Sequence, residues 1–232
     1  MSLAGPGDTN PRTAILPGVD IVDPRIEDYL RDLLGGDHPV AETMEGEAEE
    51  RDFPIVGRGV GVTLEVLARA IGARRVLEMG SGYGYSAYWF ARAVGPGGEV
   101  HMTEGNADNQ RKAMEYLEQA GLADRVHSHV GNALDIIDGL EGQLDAVFCD
   151  IDKGDYPEAW RKASQRIRIG GLYLCDNVLW SGRVVTGEDR EGTPSGWTEA
   201  VREHNRAIAS DERYRSTIVP TRDGVMVALR VA

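Results

Sequence analysis

The segment that most constrains the fold of this chain is Arg75 to Ser86, which reads RVLEMGSGYGYS. In its first part, Val76, Leu77 and Met79 make a short apolar run that predicts a buried strand. Glycines then occupy positions 80, 82 and 84, and a helix-compatible segment follows from Tyr85 to Val94. The segment therefore predicts a strand, a tight glycine turn and a helix.

A glycine turn lets backbone N–H groups and a helix N-terminus approach a ligand closely, because glycine has no Cβ and tolerates positive φ. A dinucleotide fingerprint would place its third glycine at position 85, where this chain has Tyr85. Glu78, two residues before the first glycine, suits a cationic or hydroxyl-rich ligand better than a pyrophosphate. The E-x-G-x-G-x-G pattern resembles the S-adenosylmethionine site of class I methyltransferases. The alternatives from other classes are a nicotinamide oxidoreductase, which Tyr85 disfavours, and a nucleotide-binding protein without catalysis.

The charge balance favours a small-molecule partner. The formal net charge of −13 disfavours a phosphate-backbone partner. Only Lys112, Lys153 and Lys162 are lysines among the 25 basic residues, beside 38 acidic ones. Abundant acid with scarce lysine indicates a salt-adapted protein. A genome biased towards arginine codons is the alternative, but it does not explain the acidic excess.

The sequence predicts a cytoplasmic protein. No apolar run is long enough to span a bilayer, and the first residues lack the apolar centre of a signal peptide. Cys149 and Cys175 have no metal-binding spacing and fit a reduced compartment.

The 232 residues fit one α/β domain, with an N-terminal arm over 1–22, cap helices in 23–72 and a core in 73–232. The first predicted helix is capped by Asp23, starts at Pro24 and stops at Gly35-Gly36. Its apolar residues Ile26, Tyr29, Leu30 and Leu33 lie on one face. The other predicted helices are Val40 to Arg51, Gly61 to Ile71, Tyr85 to Val94, Asn109 to Ala120 and Thr198 to Ser210. After the glycine strand, the predicted strands are Glu99 to Thr103, Arg125 to Val130, Leu144 to Cys149, Leu172 to Cys175, Arg215 to Pro220 and Gly224 to Val231.

This alternation predicts a Rossmann-like α/β fold, with a mostly parallel seven-stranded sheet, helices on both faces and an antiparallel last strand. Asp223-Gly224 indicates the hairpin that joins the last two strands. His127 and His129 share one face of their strand, and we interpret them as surface residues.

Polar residues stand at the ends of five predicted strands, namely Glu78, Glu104, Asn132, Asp150 and Asp176. Ligands of open α/β sheets bind outside the carboxyl ends of the strands, so we expect these residues to lie together. Asp150, Asp176 and Asn177 form an all-oxygen set that suits a hard cation such as Mg²⁺.

Two longer motifs carry a family resemblance. FCDIDKGDY (Phe148 to Tyr156) and GGLYLCDNVLWSGRVV (Gly170 to Val185) resemble the paired signatures of cation-dependent O-methyltransferases of the catechol and caffeoyl-CoA type. EHNRAIASDERY and TRDGVMVALR also match, so the similarity runs from about the third helix to the C-terminus.

The resemblance implies roles for individual residues. It implies S-adenosylmethionine contacts by Glu78, Gly80, Ser81, Gly82, Gly84, Ser86, Glu104, Asn132, Ala133, Asp150 and Asp152. Among these, Glu104 would bind the ribose, and Asn132 and Ala133 would lie near the adenine; Asn132 departs from the aspartate that is usual there. The resemblance also implies a divalent cation, Mg²⁺ above all, on Asp150, Asp176 and Asn177, an acceptor pocket with Trp180 and Tyr156, and a homodimer.

Lys153 matches the family's lysine that deprotonates the acceptor hydroxyl. A physical reason stands beside the resemblance, since a chain that otherwise relies on arginine keeps a lysine here, and a guanidinium does not release its proton in proteins. We therefore expect an S-adenosylmethionine-dependent O-methyltransferase that acts on a small catechol-like aromatic. The alternative is a tRNA hydroxyuridine O-methyltransferase of the same family, with Arg74, Arg75, Arg183 and Arg190 as RNA contacts. The loop Ser181 to Gly196 is expected to decide the acceptor.

The acidic excess generates a prediction about salt. We expect stability to rise with KCl into the molar range, since 38 acidic against 25 basic residues leave self-repulsion that screening relieves. Thermal melts at low and high KCl measure the effect. A melting temperature that is flat or falls with KCl would leave codon bias as the better account of the composition.

Overall fold

The computed structural model describes residues 23–36, 38–189 and 191–232, so the predicted arm over 1–22 lies outside the described residues. A seven-stranded sheet has the order β3-β2-β1-β4-β5-β7-β6. Its strands are β1 (Arg75–Met79), β2 (Glu99–Glu104), β3 (Val126–Val130), β4 (Leu144–Cys149), β5 (Ile167–Cys175), β6 (Tyr214–Val219) and β7 (Val225–Arg230). Strands β1 to β5 pair in parallel, and β7 runs antiparallel to both β5 and β6. The predicted fold class is confirmed.

Helices cover both faces of the sheet. They are α1 (Pro24–Leu33), α2 (Pro39–Arg51), α3 (Gly57–Ala70), α4 (Tyr85–Val94), α5 (Ala107–Gln119), α6 (Ala133–Gly139), α7 (Tyr156–Arg166), α8 (Arg183–Thr186) and α9 (Trp197–Ser210). Helices α2 to α5 pack on one face, and α6, α7 and α9 on the other. Because successive strand residues point to opposite faces, Val76 joins the first hydrophobic cluster and Leu77 the second. No helix of the described residues is long and apolar enough to cross a membrane.

Helix α1 forms where predicted, but its apolar residues do not join either cluster. The Asp23 carboxylate accepts a hydrogen bond from Arg25 N at 2.9 Å and caps the helix. Ile26, Tyr29 and Leu33 are exposed by 49%, 63% and 63%. The helix is thus specified by its local caps rather than by burial of that face.

Helix α3 begins at Gly57, four residues before the predicted start at Gly61. Glycine is a poor helix former, and Gly57 and Gly59 both lie in the first turn that the prediction left out. Tertiary packing overrides this preference, because a Cβ at Gly61 would lie 2.1 Å from Trp89 Nε1 of helix α4. The glycine lets α3 and α4 approach closely.

Two other segments differ from the prediction for related reasons. Strand β5 begins at Ile167 rather than Leu172 and passes through Gly170 and Gly171, which the sequence did not favour as strand. A Cβ at Gly171 would lie 2.6 Å from Asp145 O of the neighbouring strand segment, so glycine is required there by close contact. The predicted loop Ser181 to Gly196 contains the short helix α8.

The two histidines of β3 lie beside a third on β2. The side chain of His127 is 55% exposed, which agrees with a surface position, whereas His101 is 7% exposed. His101 Nδ1 and His129 Nε2 are 3.1 Å apart. The sequence did not reveal His101 as their neighbour because it lies on another strand. Within the described ranges, no group of three or more histidine, cysteine or acidic side chains is arranged to hold a metal ion.

Two helical glycines give a matched pair of stability tests. Gly61→Ala should lower the free energy of unfolding by about 1–3 kcal/mol, because its Cβ overpacks the contact with Trp89. Gly46→Ala in α2, where an added Cβ meets nothing within 4 Å, should be neutral or raise it by roughly 0.5–1 kcal/mol. Urea denaturation measures both. Equal stability of the two variants would contradict the tight packing of α3 on α4.

Candidate active site

A cavity of about 1600 Å³ opens at the carboxyl ends of β1, β2, β4 and β5. Most residues predicted for the site line it: Gly80, Ser81, Gly82, Ser86, Glu104, Asp150, Asp152, Lys153, Asp176 and Asn177. They meet because β1 pairs in parallel with β2 and β4, and β4 with β5. The structure thus brings the glycine turn and the aspartate pair to one cavity.

The glycine turn requires its glycines for two different reasons. Gly80 has φ +83°, and a Cβ there would lie 2.3 Å from Asp150 O, so the turn touches the end of β4. Gly84 has φ +87° and precedes α4; a Cβ there would lie 2.7 Å from Ala113 Cβ of α5. Gly84 does not line the cavity, and its position is explained by packing.

Glu104 is fixed at the cavity wall by two backbone groups. Gly82 N donates to Glu104 Oε2 at 2.9 Å, and Asn106 N donates to Oε1 at 2.8 Å. Each carboxylate oxygen has a second lone pair, so Glu104 can still accept hydrogen bonds from a ligand hydroxyl.

Glu78 lies buried beneath the glycine turn, with 0% exposure, and does not line the cavity. Neither carboxylate oxygen has a hydrogen-bond partner of normal geometry, although the Ser81 and Ser86 hydroxyls are close enough to lower its pKa. Burial, together with repulsion from Asp150 and Glu104, prevails and raises the pKa of Glu78 to about 7. A carboxylate without partners is costly to bury, so the site is suited to a ligand that brings positive charge or donors.

Asn132 and Ala133 do not line the cavity. Asn132 begins helix α6, and its Oδ1 accepts a hydrogen bond from Leu134 N at 2.7 Å. Ala133 is buried against the second hydrophobic cluster. Adenine contacts near these residues stay a prediction.

Asp150, Lys153 and Asp176 form the charged centre of the cavity. Lys153 Nζ donates to Asp150 Oδ1 at 3.1 Å and to Ile151 O at 3.2 Å, and the lysine is 8% exposed. Burial alone would lower the pKa of Lys153, but attraction to Asp150 outweighs it and raises the pKa. Burial, with repulsion from Asp150, raises the pKa of Asp176 to about 7. Asp176 Oδ1 is buried and has no hydrogen-bond partner.

Tyr156 and Trp180, predicted for the acceptor pocket, are buried behind the cavity wall rather than in its lining. Tyr156 is 0% exposed, and its hydroxyl donates to Asp176 O at 2.8 Å. Trp180 Nε1 donates to Thr198 Oγ1 at 3.1 Å. Both side chains therefore contact the protein around the site, and a direct contact with the acceptor stays a prediction.

Part of the cavity wall is formed by residues away from the strand ends, which the sequence analysis did not identify. Helices α1 and α2 line the cavity, and so does Arg58 of α3, which pairs with Glu45 at 2.8 Å. Arg222 of the β6–β7 hairpin also lines it and donates through Nη1 to Ile55 O at 2.7 Å. The hairpin was recognised from its turn, but its place at the cavity follows from the insertion of β7 between β5 and β6.

This sheet order and glycine turn define the Rossmann-like methyltransferase class. The family model described as O-methyltransferase matches residues 41–231. Caffeoyl-CoA O-methyltransferase 1 of Eucalyptus globulus is 30% identical over 74% of this chain and 73% of its own length. Catechol O-methyltransferase of Niastella koreensis is 29% identical over 88% of this chain and 96% of its own.

A solved structure agrees. The O-methyltransferase TomG from Streptomyces achromogenes, in complex with SAM, has a TM-score of 0.80 and 30% identity, over 90% of this chain and 96% of its own. The chain belongs to the O-methyltransferase family, as its motifs predicted, and the oxidoreductase and non-catalytic alternatives are set aside.

The fixed geometry of Glu104 generates a binding prediction. Glu104→Gln replaces one charged acceptor by a donor that faces a backbone N–H, so S-adenosylmethionine binding should weaken by about 1.5–3 kcal/mol. Calorimetry measures the loss, with the exposed Glu118→Gln of α5 as a control. Unchanged affinity in Glu104→Gln would remove Glu104 from the cofactor site.

Proposed function

We propose that this O-methyltransferase transfers the methyl group of S-adenosylmethionine to a hydroxyl of a small catechol-like aromatic, with the help of a divalent cation. The observation that carries the proposal is the contact between the glycine turn and the Asp150, Lys153 and Asp176 cluster in one cavity. The names of the catechol and caffeoyl-CoA relatives support the acceptor class.

The cofactor end of the cavity fits a sulfonium donor. Glu78, buried beneath the glycine turn, would supply negative charge near the methionyl part of the ligand. Glu104, which accepts hydrogen bonds from Gly82 N and Asn106 N, would also accept from ribose hydroxyls. A neutral or anionic dinucleotide would leave Glu78 without a partner.

The aspartate cluster fits a hard cation. Asp176 Oδ1 is buried without a partner, and burial, with repulsion from Asp150, keeps the pKa of Asp176 raised. Asp150, Asp176 and Asn177 would hold Mg²⁺ through oxygen atoms. When bound, such an ion supplies positive charge that lowers the pKa of the catechol hydroxyls and offsets this repulsion.

Lys153 is the group that takes the proton of the acceptor hydroxyl. In the structure Asp150 stabilises the protonated, ammonium form of Lys153. Lys153 can therefore act as a base only when the negative charge of Asp150 is neutralised by another group. The acceptor oxygen would then attack the methyl carbon in line with the carbon–sulfur bond, which would break to leave a neutral thioether. Asp150 thereby controls when the lysine accepts the proton.

The structure gives the tRNA alternative little support. Arg75 is the first residue of β1, at the strand end opposite the cavity, and pairs with Glu99. The neighbouring Arg74 donates to Val94 O and Pro96 O. Arg183 lines the cavity, and Arg190 lies outside the described residues. Methyl-tritiated cofactor, offered with catechols, flavonoids and bulk tRNA, tests the acceptor class; label found only in tRNA would overturn the proposal.

We also propose that cap and core form one domain, since residues of α2 and α3 share a hydrophobic cluster with the sheet. The homodimer and the cytoplasmic location stay predictions.

Lys153→Arg tests the base. The variant keeps the positive charge but cannot release a proton near neutral pH, so turnover should fall by about 10²–10⁴-fold while cofactor affinity is maintained. Raising the pH should restore part of the rate, because the acceptor hydroxyl then ionises without a base. Lys162→Arg, on α7 and outside the cavity lining, is the matched control.

Metal removal tests the cation. A chelator, or Asp176→Ala, should remove most of the activity, and added Mg²⁺ should reverse only the effect of the chelator. A wild-type rate that is untouched by chelator, or normal turnover of Lys153→Arg at pH 7, would contradict this mechanism.

A further inference from the structure

The loop from Asp176 to Leu179 carries two of the proposed cation ligands. Asn177 has φ +55°, in the left-handed region, which asparagine adopts more readily than most other non-glycine residues. Such a conformation persists only when the surrounding structure fixes it.

Backbone groups and side chains from four parts of the fold hold the loop. Asp176 N donates to Cys149 O at 3.1 Å, and Asp176 O accepts from the Tyr156 hydroxyl at 2.8 Å. Val178 N donates to Gly224 O at 3.1 Å, and Val178 O accepts from Asn205 Nδ2 at 2.7 Å. Asn205 of α9 thus contacts the residue that directly follows Asn177.

The orientation of the Asn205 amide is fixed by its neighbour His204. Because Nδ2 donates to Val178 O, the amide oxygen Oδ1 faces His204 Nδ1 at 3.2 Å, and that nitrogen must carry the hydrogen. His204 is 0% exposed, and burial, opposed in part by its bond to Asn205, lowers its pKa to about 4, so the ring is neutral at pH 7. Its Nε2 is then an acceptor and receives the Tyr173 hydroxyl at 3.0 Å.

We propose that Tyr173, His204 and Asn205 form a relay of hydrogen bonds with one fixed direction, and that this relay positions Asp176 and Asn177 to bind the cation. All three act as positioning residues, through Val178 O, and none is placed in the cavity lining. The inference rests on the proposed function, because it assigns the relay to the cation site of that function.

The polarity of these buried groups supports a positioning role. Tyr173 and His204 are 0% exposed, where apolar side chains would fill the same volume without polar groups that need partners. Each donor and acceptor of the relay is instead matched to the next, so that the amide of Asn205 has only one favourable orientation. Replacing a residue that orients metal ligands without binding the metal itself typically changes metal affinity or activity by about 10–100-fold.

Asn205→Asp tests the relay with almost no change in size. The carboxylate still accepts from His204 Nδ1, but its second oxygen faces Val178 O and repels it. We expect Mn²⁺ binding, measured by electron paramagnetic resonance of the free ion, to weaken by about 10–100-fold, with S-adenosylmethionine affinity unchanged. Gln119→Glu, an exposed amide-to-carboxylate change on α5, controls for the added charge.

Tyr173→Phe is the second variant, and it keeps the ring while removing the hydroxyl that donates to His204 Nε2. It should weaken Mn²⁺ binding in the same direction but less, and it keeps the test decisive if Asn205→Asp does not fold. Equal Mn²⁺ affinity of wild type and the folded variants would overturn the relay and leave the cation proposal intact. A wild-type protein that does not bind Mn²⁺ would overturn the cation proposal, and the role of the relay with it.

Discussion

The close contact between the ends of β1 and β4 is the constraint on which the rest of the site depends. Pairing continues beyond both strands, since Asp150 N donates to Met79 O at 2.8 Å. A Cβ at Gly80 would lie 2.3 Å from Asp150 O, so the two turns are in backbone contact. Ligands held by either turn are therefore adjacent, and a methyl donor can meet its acceptor without a domain movement.

Two buried carboxylates at the site carry negative charge that is unfavourable in the absence of a ligand. Glu78 and Asp176 are both buried, and both have oxygens without hydrogen-bond partners. Their raised pKa values express the cost of keeping them ionised without a ligand. A sulfonium donor and the proposed divalent cation would each offset one of these charges.

Local sequence signals predicted the elements with short-range causes. The glycine turn, the Asp23 cap and the hairpin at Asp223-Gly224 depend on neighbouring residues and lie where expected. The length of β5 depends on a contact of Gly171 with a distant part of the chain, so the local preference of glycine misled the prediction there. The start of α3 was predicted four residues late, at Gly61 instead of Gly57. The strand-end residues were predicted to meet because parallel topology places them together. The sequence analysis missed Arg58, Arg222 and the relay of Tyr173, His204 and Asn205, since only the folded arrangement makes them neighbours of the site.

The cavity wall has two origins, and this has a consequence for how the enzyme could diversify. The reacting groups stand at the ends of sheet strands, whereas much of the facing wall comes from α1 and α2, which precede the sheet in the chain. Substitutions in these two helices would alter the size and charge of the space offered to an acceptor without touching Asp150, Lys153 or Asp176. A lineage of such enzymes could therefore exchange one acceptor for another by drift in its first fifty residues, with the chemistry inherited intact.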